Sequence, residues 1–270
     1  MKLSIIAFLT IVFTASVFAQ KETQILFKTD MGNIKIKLYN ETPKHKENFI
    51  KLVNQKFYDG ILFHRVIKDF MLQTGDPDSK TAAKNAVLGN GGPGYTLPPE
   101  FNSKFIHKRG ALAAARLGDN MNPKKESSGS QFYIVQGKTF TEQELTNMEA
   151  GMAQQGKMQF YIEYINKPEN IKLKNRVNSL NRARDQAGLN KIVVELDNAI
   201  GKDFKSATFS PEQKKIYATV GGAPHLDGTY TIFGEVIEGM DIVDKISLVQ
   251  RDKNDRPLED IKIISAEILK

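Results

Sequence analysis

Phe63-His64-Arg65-Val66-Ile67, followed two residues later by Phe70-Met71-Leu72-Gln73-Thr74-Gly75-Asp76, is the most informative stretch of this 270-residue chain. Two β-like runs, Ile61–Val66 and Phe70–Gln73, occupy it, and period-two geometry places Met71 and Gln73 on one face of their strand. Upstream, Ile25 and Phe27 alternate with polar residues, a turn falls at Asp30-Met31-Gly32-Asn33, and Ile34-Lys35-Ile36-Lys37-Leu38 completes a hairpin. Thr42-Pro43 then opens a helix to Asn54 with Phe49, Leu52 and Val53 on one side; Thr42 suits the N-cap and Pro43 the first helical position. Downstream, further strand patterns occupy Ala111–Ala115, Gln131–Val135, Tyr230–Val236 and Ile261–Leu269. Many short strands with glycine punctuation predict a sandwich or a barrel.

Residues 139–216 differ in character. Glycines become sparse, Lys, Glu, Asn and Gln abound, and apolar residues such as Val177, Leu180, Leu189, Ile192 and Val193 recur at three-to-four spacing. Two or three helices are expected, broken at Pro168, Gly188, Gly201 and Pro211. Because strand patterns resume afterwards, this is a helical insertion within one β domain composed of residues 20–138 and 217–270.

Composition narrows the chemistry. The chain is 40% hydrophobic and 26% charged, as in ordinary globular proteins, and it contains no cysteine, which removes disulfides, thiolate nucleophiles and common structural zinc sites. Its net charge of +7 is spread along the chain without a basic run, so no nucleic-acid partner is expected. Lys2 and the apolar stretch from Leu3 through Phe13 form a signal-like leader, with Val17-Phe18-Ala19 placing cleavage after Ala19. Residues 1–19 are thus read as a signal peptide. No other segment is apolar enough to span a membrane. The protein is expected to be exported, to the periplasm if the host is Gram-negative.

Gly89-Asn90-Gly91-Gly92-Pro93-Gly94 matches the dinucleotide pattern G-x-G-x-x-G. Pro93 lies inside it and Pro98-Pro99 follow, so no helix can open there to receive a phosphate, and a surface loop of unusual backbone angles is expected instead. His45, His64, His107 and His225 show no metal-ligand spacing, no G-x-S-x-G elbow occurs, and the serines near Ser130 have no base close in sequence. No metal and no cofactor are expected.

The Phe63–Ile67 and Phe70–Asp76 stretches, together with Ser130-Gln131-Phe132-Tyr133, Leu226-Asp227-Gly228 and Phe233-Gly234, resemble the cyclophilin family of peptidyl-prolyl cis/trans isomerases. The resemblance covers roughly residues 24–137 and 217–269 and leaves the insertion outside. It implies a mainly β fold, an eight-stranded antiparallel barrel closed at its ends by two helices. The second helix is expected near Gly239–Ser247, where Met240, Val243 and Ile246 share an apolar face.

The resemblance also implies an enzyme that accelerates X–Pro isomerisation by a non-covalent route, with Arg65 as the catalytic group. Guanidinium stays charged at every relevant pH and holds its donors in a rigid fork. The family's substrate-binding positions fall on Phe70, Met71, Gln73, Ala115, Arg116, Gln131, Tyr133, His225, Leu226 and Tyr230. Proline-containing peptides and unfolded exported proteins are the implied partners. His64 is expected to be structural, buried and hydrogen-bonded. Four positions depart from the best-known eukaryotic pattern: Tyr133 stands for Phe, Arg116 for Asn, His225 for Trp and Tyr230 for His. Arg116 thereby adds a charge able to favour acidic flanking residues in a substrate. A competing reading makes the protein a periplasmic chaperone or proline-peptide binding module that works mainly through the insertion; a third makes the insertion a dimerisation element.

Overall fold

Alternation along the first hairpin is reproduced in three dimensions. In the computed structural model, which describes residues 22–269, strands β1 (Gln24–Thr29) and β2 (Gly32–Leu38) pair antiparallel and bury Ile25, Phe27, Ile34, Ile36 and Leu38. The expected leader over residues 1–19 lies outside the described residues. Next come α1 (Pro43–Asn54), β3 (Arg65–Ile67), β4 (Met71–Thr74), the two-residue β5 (Thr96–Leu97), β6 (Ala111–Ala114), the two-residue β7 (Ser127–Ser128) and β8 (Phe132–Val135). Four helices follow, α2 (Glu142–Asn166), α3 (Ile171–Ala183), α4 (Gln186–Ile200) and α5 (Pro211–Thr219), before β9 (Ile232–Glu238), α6 (Met240–Ser247) and β10 (Ile263–Leu269).

Eight strands form one antiparallel sheet in the order β10-β1-β2-β9-β6-β8-β4-β3, while β5 and β7 make a small separate ribbon. The sheet curls until its edges meet. Main-chain bonds run from Gly60 N to Ile263 O (2.8 Å), Ile263 N to Ile61 O (2.8 Å) and Phe63 N to Ile261 O (2.9 Å). The apolar run expected as a strand over Ile61–Val66 is therefore divided: its first half stitches the closing seam, and only from Arg65 does the chain pair with β4. Inside, Phe27, Phe49, Tyr58, Phe132 and Phe233 stack and tilt against one another, with α1 and α6 contributing Phe49, Leu52, Val53, Val243 and Ile246. The two end-capping helices thus stand where the sequence places them.

Thr42 does not cap α1 with its side chain. A remote carboxylate does so instead, because Glu100 accepts from the amides of Lys44 (3.1 Å) and His45 (3.0 Å), and also lies 2.6 Å from His45 Nδ1. Such a donor-rich N-terminus suits a negative charge. Burial pushes the His45 imidazole below its ordinary pKa, with Glu100 opposing that shift.

The insertion has four helices, not two or three. Pro168, Gly201 and Pro211 fall at breaks as expected, whereas Gly188 lies inside α4. The true corner is Arg184 in the left-handed region (φ 53°), followed by Asp185, whose carboxylate caps Gly188 N at 2.8 Å. Glycine at 188 allows close helix packing, since a β-carbon there would sit 2.5 Å from Leu180 Cδ2. Val193 turns to solvent, and Ile192 with Leu196 faces Tyr161 instead. Among the described residues, no helix is long and apolar enough to cross a membrane.

Candidate active site

Strands β4, β6 and β8 are buried on both faces. Leu72, Leu112, Ala114, Phe132 and Ile134 point into the barrel, while Met71, Ala111, Ala113, Ala115, Tyr133 and Val135 form a second cluster outside it. Strict alternation along paired strands produces this division, with Gln73 opposite Tyr133 and Met71 opposite Val135. The outer cluster is the floor of a cavity of about 110 Å³, lined by Arg65, Phe70, Met71, Gln73, Ala115, Arg116, Tyr133, Leu226 and Tyr230. Nine of the eleven sequence-derived site residues are thereby brought together.

The other two lie nearby. Gln131 is buried and bridges Gln73, whose Nε2 donates to Gln131 Oε1 at 3.0 Å, and Gly91, whose carbonyl accepts from Gln131 Nε2 at 2.7 Å. It lines an adjoining trough of about 820 Å³ that shares Gln73, Ala115 and Arg116 with the small cavity. His225 is exposed and lines neither, resting its ring 5.3 Å from that of Phe70. Its expected place in the binding surface is thus at the outer rim, because the short turn Pro224–Leu226 directs Leu226 inward and His225 outward.

Arg65 stands at the cavity's edge, partly exposed, on a strand paired with Gln73. One carboxylate, that of Asp255, lies 4.0 Å from its Nε. Asp255 in turn accepts Val66 N at its main-chain oxygen (2.8 Å), so the loop that carries it is tied to β3. Arg116 is engaged by its neighbours. Its side chain is only 5% exposed, its plane stacks over Tyr230 at 4.5 Å, and it donates to the carbonyls of Thr229 (2.8 Å) and Leu117 (2.9 Å) and to Asp119 (2.6 Å). Neutralised in this way, it braces two loops of the groove and offers little charge to a substrate; the same pairing holds Asp119 below its ordinary pKa.

The glycine-rich loop is organised by Asp76, which is fully buried and accepts from Asp78 N (2.9 Å), Gly89 N (2.5 Å) and Gly91 N (3.4 Å). Gly89 and Gly94 take positive φ, and no helix follows. His64 is buried as expected, yet neither ring nitrogen has a hydrogen-bond partner, and burial drives its pKa down to about 4. Among the described residues no group of His, Asp and Glu gathers that could hold a metal ion.

Three polar residues behind the cavity escaped the sequence reading. Tyr133 contacts His107 Nε2 through its hydroxyl (2.9 Å), His107 Nδ1 lies 2.9 Å from Asp227, and Asp227 accepts from the Tyr217 hydroxyl at 2.6 Å. Only the substitution of Tyr for Phe at 133 signalled that a polar partner was required.

The fold is a curled antiparallel eight-stranded sheet with a small cavity on its outer face, and comparison with known proteins supplies the family. The family model for cyclophilin type peptidyl-prolyl cis-trans isomerases matches residues 24–176 and 210–268. The chain belongs to this family, a class of enzymes that interconvert the cis and trans forms of X–Pro bonds. The match runs through α2 into α3 and resumes just before α5, so the unmatched stretch is shorter than the helical segment itself. A relative from Staphylococcus saprophyticus, whose name assigns it to the peptidyl-prolyl cis-trans isomerases, is 28% identical over 249 residues, 92% of each chain. One from Staphylococcus aureus of the same name is 27% identical over 250 residues, covering 92% of this chain and 93% of its own. The crystal structure of a Cryptosporidium parvum cyclophilin type isomerase superposes with TM-score 0.55 at 20% identity, over 93% of this chain and 99% of that one. The same protein crystallised in the presence of the dipeptide Ala-Pro gives TM-score 0.53.

Proposed function

We propose that this chain accelerates X–Pro isomerisation in exported proteins during their folding, with Arg65 as the catalytic group and the 110 Å³ cavity as the seat of the proline ring. Rotation about an X–Pro bond sacrifices amide resonance against a barrier of about 18–20 kcal/mol, and no covalent bond is made or broken. As the bond twists, the prolyl nitrogen recovers its lone pair. A fixed donor near that nitrogen therefore stabilises the twisted form more than either planar form. The observation that carries the reading is that Arg65, whose guanidinium is partly exposed, borders a cavity with one wall of Phe70, Met71, Tyr133 and Leu226. Gln73 lies across the strand pair from Arg65, which supports a role in holding substrate backbone. A crystal structure of a related isomerase obtained with Ala-Pro present supports a proline-containing peptide as the occupant. The signal-like leader supports export.

Purified protein should speed cis-to-trans conversion of an X–Pro peptide, and Arg65→Ala should reduce kcat/KM by about 10²–10³ with an unchanged melting temperature. An inactive parent protein would overturn the enzyme reading, and an active Arg65→Ala variant the role of Arg65. A second reading, partner binding through the insertion, is favoured by the exposure of Met158, Ile162, Ile171 and Val194 on its helices. Replacing Ile162 and Ile171 by Asp should then weaken capture of an unfolded protein while leaving peptide isomerisation intact.

A further inference from the structure

The Tyr133 hydroxyl points away from the cavity that its ring floors and begins a buried chain of polar contacts that ends at Tyr217 on α5. We propose that Tyr217, on the helix α5 that returns the chain from the insertion to the barrel, is a positioning residue for the proline cavity, acting through Asp227 and His107 on Tyr133. The inference rests on the reading of that cavity as the prolyl site.

The order of donors follows from the chemistry of each group. The Tyr217 hydroxyl donates to one oxygen of Asp227 at 2.6 Å. The other oxygen accepts twice from His107, from its main-chain amide (2.8 Å) and from Nδ1 (2.9 Å). With its proton fixed on Nδ1, a neutral imidazole has an acceptor at Nε2, which the Tyr133 hydroxyl meets at 2.9 Å. His107 and Tyr217 are fully buried, so losing one donor strands the next group without water to replace it. Burial first, and Asp227 second, raise the pKa of Tyr217, which keeps its hydroxyl a donor at physiological pH.

Two walls of the cavity hang on this one carboxylate. Tyr133 is reached through His107, and Leu226 precedes Asp227 in the chain. Tyr230 stands edge-on to both rings, 5.8 Å from Tyr133 and 6.2 Å from His107, so their orientation constrains it as well. The base of the insertion is itself fixed against the same segment. Arg109 N donates to Gly221 O (2.9 Å), Gly222 N to Lys138 O (2.9 Å) and Ala223 N to His107 O (2.7 Å). A β-carbon on Gly222 would lie 2.2 Å from His107 O and 2.7 Å from the Tyr217 ring, so only glycine lets the helix approach so closely. Leu145, Phe209 and Ile106 complete the apolar packing around Tyr217. The helix that leads out of the insertion thus supplies the donor that completes the shape of the cavity from behind, whatever the outer helices bind.

Tyr217→Phe removes the hydroxyl and keeps the ring, and it is to be compared with the parent in peptide isomerisation after confirming equal helicity and melting temperature. A loosened floor weakens the proline ring equally in ground and transition states, so KM should rise about three- to tenfold while kcat stays within about twofold. Partial unfolding would instead lower apparent kcat at constant KM. In a Tyr133→Phe background the chain is already cut, and Tyr217→Phe should add less than about a twofold further change. Unchanged KM in Tyr217→Phe, or equal rises in both backgrounds, overturns the proposal. If Tyr217→Phe melts early, Asp227→Asn serves as the second variant, judged by the same KM rise in the parent and its loss beside Tyr133→Phe. A parent protein with no isomerase activity would sink the functional reading itself, whereas an active parent indifferent to Tyr217→Phe sinks only the relay.

Discussion

In the barrel, Phe27, Phe49, Tyr58, Phe132 and Phe233 pack ring on ring with centroids 5.0–6.2 Å apart, whereas in the insertion α3 fully buries no side chain and the 25-residue α2 buries only Leu145 and Tyr161. The insertion is also divided. Leu145, Phe209 and Tyr217 hold its base to the barrel, and Tyr161, Ile192 and Leu196 form a separate small core farther out. Loss of one barrel side chain is therefore felt by the whole sheet, while the outer helices are able to open locally without disturbing the cavity.

The largest effect is expected where the contrast is sharpest. Phe132 packs against the rings of Phe27, Phe49 and Tyr58, and Phe132→Ala should cost about 3–5 kcal/mol in a denaturant titration; a loss below about 1 kcal/mol would remove the distinction between the two regions. Next comes pH. His64 is buried with a pKa of about 4 in the folded chain against an ordinary 6.5. Between these values the unfolded chain takes up a proton that the folded one refuses, so stability falls as pH drops from 6.5 towards 4, by up to about 3 kcal/mol. A flat pH profile in His64→Gln would confirm the source, and an unchanged slope would refute it. Leu196→Ala should cost about 2 kcal/mol, read as faster amide exchange confined to α2–α4. Faster exchange in β6 or β8 would show that the outer core is coupled to the sheet after all. Smallest are the caps, about 1 kcal/mol each: Glu100→Ala should lower the barrel's melting temperature, and Asp185→Ala should only fray α4.

What the sequence made legible is what repeats locally. The period of two placed Met71 and Gln73 on one face of their strand, and the apolar spacing of Val243 and Ile246 located the second end helix. Long-range pairing stayed hidden. Nothing near Thr42 reveals that Glu100, on the approach to β6, caps α1, and nothing near His107 reveals its bond to Asp227. Gly188 read as a break because glycine so often ends a helix, yet here it serves contact between α3 and α4. The pairing of Arg116 was hidden as well, because its partners, Asp119 and Tyr230, are identified only once the loops are in place.

The pairing of the first strand with the last carries a consequence for the order of events in folding. Lys28 on β1 meets Glu267 on β10 across 239 positions of chain, at 2.7 Å. Contacts so remote form slowly, since the entropy of closing a long loop is spent before any bond repays it. The hairpin of β1 and β2 and the individual helices of the insertion need no such wait. Nascent chains should therefore pass through a stage in which the helices exist and the sheet is still an open ribbon, its edge amides at β1 unprotected. Followed by pulsed deuterium labelling, protection of those amides marks the docking of β10, and protection of Gly60, Phe63 and Ile263 marks when the ribbon becomes a ring.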